Sequence, residues 1–330
     1  MIAHHRWEDD MQSFYKGAIA ALLVAASTTF GSEGAQAQGW MPSGPITLKI
    51  AFAAGGGADT QARLIAAELE SRYGWTIIPE QAAGRGGLSL LADIRDDPAD
   101  GTVIGMTVTD SLGYSSRASE APWTPADFTP IATTASFQMG LVASAGSGWA
   151  SFPDLLDAAR GGQVIRFGVM SAKLADQAYL LGEANDVAFN IVELNGGAAV
   201  MNGITAGDID VGFVAGAQSR GVASGDLVNL ASALSAPLTQ TPDAPLLSEF
   251  GLPFDSDGYF VFIAPAGLPE EARTALAEAI SAIASDPSNP AGEAIQRAFG
   301  EASTLSGAAL TDFLTRQYDD AGALMDAASN

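Results

Sequence analysis

The chain has 330 residues, with 15 Lys and Arg against 38 Asp and Glu, a formal net charge of −23 and no cysteine. That length allows one large or two medium domains on a self-sufficient core. The absence of cysteine excludes disulfides, thiolate nucleophiles, Cys-ligated zinc and iron–sulfur clusters. The sign of the charge argues against nucleic acid as a partner and against anionic membrane surfaces.

The N-terminal elements come first. Met11 opens a short segment with Lys16, followed by an apolar run over 17–26 and a small-residue site at Ala35-Gln36-Ala37. This reads as a secretory signal peptide cleaved before Gln38. The apolar run is too short to span a bilayer, which takes about 20 residues. An N-terminal amphipathic or buried helix is the alternative reading. The acidic Glu8-Asp9-Asp10 is foreign to a signal peptide, so translation is expected to start at Met11, with 1–37 as the leader. Removing it removes His4 and His5, the only histidines, and leaves Lys49 and Lys173 as the only lysines. An exported chain without cysteine folds independently of oxidation machinery, so a periplasmic location is expected.

Beyond the leader, β-type runs alternate with helical patterns, the signature of an α/β fold. Strands are predicted over 47–54, 76–80, 102–108, 164–169, 189–194, 209–214, 227–234 and 258–264. Helices are predicted over 59–73, 88–95, 152–160, 174–183 and 198–206, and 269–328 reads as helical with breaks at Asp286-Pro287 and over 300–307. Crossings near 136–141 and 253–260 divide the chain into lobe 1 (45–137 plus 256–330) and lobe 2 (138–255). Two lobes joined by a double crossing form a hinged cleft, where small ligands commonly sit.

The first predicted strand runs through Phe52, Ala53 and Ala54 into Gly55-Gly56-Gly57-Ala58-Asp59 and a helix. Glycines let a backbone turn sharply and approach a ligand, Asp59 is placed to cap the helix, and a helix N-terminus favours anions. The spacing is neither GxxxxGK[ST] nor GxGxxG. From the glycines alone, a structural turn and a ligand loop remain equally open. Arg85, in a second glycine turn over 84–87, reads either as a surface arginine or as a fork donor to a carboxylate. Without His or Cys after the leader, no Ser-His-Asp, Cys-His or His-zinc site can form. The carboxylates Asp59, Asp110 and Asp176, and the Ser171/Lys173 pair, form no spacing that singles out a catalytic set. No enzyme activity is expected, and no metal or cofactor, since no D-x-[DN]-x-[DN]-G loop occurs.

Taken in order, 46–69, 80–87, 97–106 (DPADGTVIGM), 127–132, 195–212 (NGGAAVMNGITAGDIDVG), 245–251 and 264–276 (APAGLPEEARTAL) resemble the Bug-type extracytoplasmic solute receptors of tripartite tricarboxylate transporters. The resemblance covers nearly the whole chain after the leader. It implies a two-lobed periplasmic-binding-protein-like fold of type II, closing on a small organic anion, a carboxylate, for delivery to membrane transporter subunits. It also implies that Phe52, Ala54, Gly55, Gly56, Gly57 and Asp59 form the first-lobe carboxylate loop. A periplasmic sensor presenting its closed form to a signalling partner is the alternative, and a monomer is expected. In the second lobe the sequence departs from the family pattern. Met170, Ser171 and Lys173 stand where members carry a Gly/Ser-rich loop, and Leu194-Asn195-Gly196 stands where members carry Tyr-Lys-Gly. Lys173 therefore reads either as a positive charge supplied to the ligand or as a solvated lysine at a helix start, a position that opposes the helix dipole.

Overall fold

A computed structural model describes residues 40–329. The expected leader and its cleavage point before Gln38 lie outside the described residues. The first strand, β1 (Ile46–Ile50), buries Ile46, Leu48 and Ile50 on alternate positions. The helix that follows, α1 (Gly57–Tyr73), buries Ala58, Ala62, Ile65, Ala66 and Leu69 at the three-to-four spacing of one helix face. It ends at Gly74, in the left-handed region at φ 69°.

The chain continues through β2 (Ile77–Gln81), α2 (Leu88–Ile94), β3 (Val103–Val108), a π-helical turn over Ser111–Ser115, and β4 (Phe128–Ser136). It then enters β5 (Met139–Ser144), α3 (Phe152–Arg160), β6 (Ile165–Val169), α4 (Ala172–Ala184), β7 (Phe189–Glu193), α5 (Gly197–Ala206), β8 (Val211–Ala215), α6 (Ser219–Ser224) and β9 (Leu227–Ser232). The last elements are β10 (Tyr259–Pro265) and the helices α7 (Glu270–Ala284), α8 (Pro290–Phe299) and α9 (Gly307–Ser329).

The strands form two five-stranded sheets, ordered β2-β1-β3-β10-β4 and β7-β6-β8-β5-β9. In the first, β1 runs parallel to β2 and β3, while β10 is antiparallel to β3 and β4. In the second, β6 runs parallel to β7 and β8, while β5 is antiparallel to β8 and β9. Both sheets therefore carry the same plan: three parallel strands beside a strand adjoining the chain crossing. The chain leaves the first sheet at Ser136, enters the second at Met139 and returns at Tyr259. At the crossing, Phe137 N–H donates to Gly258 O over 2.9 Å. The Gln218 side chain donates to Gln138 O, and the Gln138 side chain in turn accepts from Thr239 N–H.

Two strands escape the sequence prediction: β4 and β5. Both are buried on nearly every position, so neither displays the alternation that marks a half-exposed strand. Pro130 also reads against a strand, but β4 is the edge of its sheet, where proline is tolerated. The short helix α6 was likewise not predicted.

Candidate functional site

In an open sheet with parallel strands, the crevice for ligands lies beyond the carboxyl ends of adjacent strands whose connections diverge. Here each sheet offers such a point, between β1 and β3 and between β6 and β8, and the two points face each other. A narrow inner cavity of about 50 Å³ lies between them. Phe52, Gly56 and Gly57 line it from the first sheet's side, and Met170, Ser171 and Gly197 from the second's.

Two helices begin at this cavity. The first turn of α1 starts at Gly57 and that of α5 at Gly197. First-turn N–H groups lack intrahelical partners, and the helix dipole adds partial positive charge there. The loops before the two helices touch. Gly196, at φ 93°, lies so close to Phe52 that a Cβ on it would stand 3.2 Å from the Phe52 Cβ. Gly55 takes φ 82°, a conformation glycine adopts without penalty.

Asp59 does not cap α1; Gly56 is the N-cap residue and receives no side-chain hydrogen bond. The Asp59 carboxylate, 4% exposed, instead accepts from Gly55 N–H (2.9 Å), Arg63 Nε (2.8 Å) and Gln81 Nε2 (2.7 Å). It is not among the residues lining the inner cavity, and it fixes the shape of the glycine loop from behind. Ala54 is exposed and lines neither the inner cavity nor the outer one described next.

An outer cavity of about 410 Å³ adjoins the inner one, the two sharing Met170 and Ser171. Arg85, Leu194 and Asn195 line it, together with Glu193. Arg85 holds a left-handed backbone at φ 51°, which costs a non-glycine residue about 1–2 kcal/mol. No hydrogen bond or ion pair within the described residues engages its side chain. On the far side of the glycine loop, a third groove is lined by Gly55, Arg220 and Arg297.

Lys173 is not a free cation at the cleft mouth. Its Nζ stands 3.4 Å from Asp110 Oδ1, and both side chains are largely buried, at 12% and 7% exposure. The pair joins the start of α4 to the segment after β3. A second bond joins the same two segments in the opposite sense, the Tyr114 hydroxyl donating to Asp176. Burial, and then the hydrogen bond to Asp176, push the Tyr114 phenol well above its ordinary value. Ser171 caps α4, accepting from Leu174 N–H over 3.4 Å.

Sequence reasoning missed the cavity walls contributed by Val108, Phe137, Met139 and Phe260. These residues belong to strand ends and to the crossing itself, and only the pairing of distant segments brings them to the cleft. Asp110 was visible only as one carboxylate among several, although its place just after a predicted strand was a usable signal. Among the described residues, no group of three or more His, Asp or Glu side chains is arranged to hold a metal ion. No helix among them is long and apolar enough to cross a membrane.

The geometry can be set beside known proteins. Residues 61–324 match the family model described as the tripartite tricarboxylate transporter family receptor. Protein BugT of Bordetella pertussis is 28% identical over 240 residues, covering 68% of this chain and 72% of its own. Among solved structures, MatC from Rhodopseudomonas palustris with bound malate is similar at a TM-score of 0.73 and 21% identity, over 86% of this chain and 99% of that one. Another R. palustris protein, with adipate, reaches a TM-score of 0.78 at 20% identity, over 88% and 99%. At these identities the structural likeness is one of fold, and it agrees with the two-sheet plan above. With the family model matching most of its length, the chain belongs to the tripartite tricarboxylate transporter receptor family.

Proposed function

We propose that this receptor captures a small carboxylate outside the cytoplasm and delivers it to the membrane subunits of its transporter. The observation that carries the reading is the opening of two helix N-termini, at Gly57 and Gly197, onto one cavity between the two sheets. Such termini are ready anion sites, and the relatives with malate and adipate support a carboxylate as the anion. The acid's carboxylate sits against Gly56 and Gly57, with Phe52, Met170, Ser171, Leu194 and Asn195 around its body. Arg85 supplies the one unpaired cation of the outer cavity. Ala54, Gly55, Asp59, Lys173 and Gly196 act by shaping the loops that meet there. Micromolar affinity needs about 8 kcal/mol. A few charge-assisted hydrogen bonds at about 1.5–3 kcal/mol each, with apolar contact added, suffice.

On this reading lobe 1 comprises 45–137 with 256–330, lobe 2 comprises 138–255, and closure occurs about the crossing at 137–138. Residues 1–37 are the leader, its signal peptide running from a translation start at Met11 to cleavage before Gln38, which places the monomeric receptor in the periplasm. It binds its ligand without turning it over. Isothermal titration against mono-, di- and tricarboxylates and aromatic acids tests the proposal: at least one acid binds at micromolar concentration and is recovered unchanged. A folded protein that is silent across the panel contradicts it.

A further inference from the structure

The inner cavity presents one charged side chain among apolar walls. Asp110 lines it beside Val108, Phe137, Met139, Leu174 and Phe260. Lys173 Nζ, 3.4 Å from Oδ1, is the one donor that reaches the carboxylate among the described residues, and Oδ2 accepts nothing there. Lys173 does not line the cavity, so the face offered to a ligand is the carboxylate and not the ammonium. Burial holds the Asp110 carboxyl above its ordinary range against the pull of Lys173, and the charge of Asp255 pushes in the same direction.

An acceptor in an apolar cavity without a full set of donors has an unmet need that a ligand can fill. A ligand hydroxyl or ammonium fills it. A second ligand carboxylate brings like charge against it in a poorly solvated space, where that repulsion is strong. Resting on the receptor reading above, we propose that Asp110 sets the ligand class: a monocarboxylate whose body carries a hydrogen-bond donor, hydroxyl or ammonium, that reaches Asp110, with dicarboxylates refused. The carboxylate is held at the helix N-termini and the donor end at Asp110, across the apolar walls.

The test compares, by calorimetry, ω-hydroxy and ω-amino acids of three to six carbons with dicarboxylates and unsubstituted acids of equal length. The wild type is expected to bind the best hydroxy or amino acid at least about tenfold more tightly than the matched dicarboxylate. Asp110→Asn, nearly the same shape, shrinks that preference about tenfold by admitting the second carboxylate. Lys173→Met removes the charge that favours ionised Asp110, so the carboxyl takes up a proton more readily and the preference shrinks as well, returning as the pH is raised. Melting curves establish that each variant folds; should Asp110→Asn fail to fold, Lys173→Met alone decides, and an unchanged preference counts against the proposal. A wild type that binds dicarboxylates as tightly as hydroxy acids, or a preference untouched by Asp110→Asn, overturns it. Binding by no acid at all instead overturns the receptor reading on which it rests.

Discussion

Asp59 illustrates how much of the site depends on residues that do not touch a ligand. Three donors, from Gly55, Arg63 and Gln81, converge on its two carboxylate oxygens. An amide in its place has one acceptor oxygen and turns an NH₂ group toward at least one of those donors. Asp59→Asn is therefore expected to destabilise the fold by about 1–3 kcal/mol and to weaken acid binding by loosening the glycine loop. Thermal melting and calorimetry on the same sample check both effects. At this scale the sequence was partly readable. The glycine loop and Arg85 stood out from their own neighbours, whereas Lys173 was read as a charge for the ligand or as a solvated lysine. Its pairing with Asp110 was not legible, because Asp110 lies 63 positions away and only the meeting of β3's end with α4 brings the two together. The helix-capping role expected of Asp59 also failed: its carboxylate reaches back to Gly55 N–H, one residue before the N-cap.

Elements with a strong periodic signal were the legible part of the fold. The pattern ITLKI alternates and α1 repeats its apolar face; the helix appears close to the expected 59–73, while the strand ends at Ile50, four residues short of the expected 54, because 51–54 already turn toward the glycine loop. β4 and β5 were not legible, since burial on both faces erases the alternation. They are also the strands that carry the chain from one sheet to the other, so the cavity walls at Phe137 and Met139 went unseen with them. At the element scale the contact between the two glycine loops is the sensitive point. Gly196 is the N-cap of α5, sits at φ 93° and abuts Phe52. Gly196→Ala forces alanine into a backbone conformation at φ 93° and ψ 170° that essentially only glycine adopts, costing about 1–3 kcal/mol, and presses on Phe52 across the cleft. Because that contact forms only where the loops meet, acid affinity is expected to fall roughly tenfold while the helix content seen by far-UV circular dichroism is retained. Unchanged affinity would place the ligand away from this contact.

Over the whole molecule, a net charge of −23 looks ill-suited to an anion receptor. Exposed charges are screened beyond about 8–10 Å at ordinary ionic strength, so the acidic surface does not set the potential inside the cleft. That potential comes from groups at the cavity itself: the first-turn amides of α1 and α5 against the Asp110 carboxylate within, and Arg85 beside Glu193 in the outer chamber. The repeated plan of the two sheets explains why these groups meet, since each sheet turns the carboxyl ends of its central parallel strands toward the other. The most direct test is a crystal structure of the receptor with the tightest acid from the titration panel. The expected result is a carboxylate within hydrogen-bond distance of the N–H groups that begin α1 or α5, enclosed between Phe52 and Met170. An acid seated instead in the groove lined by Arg220 and Arg297, with the inner cavity empty, would contradict the account.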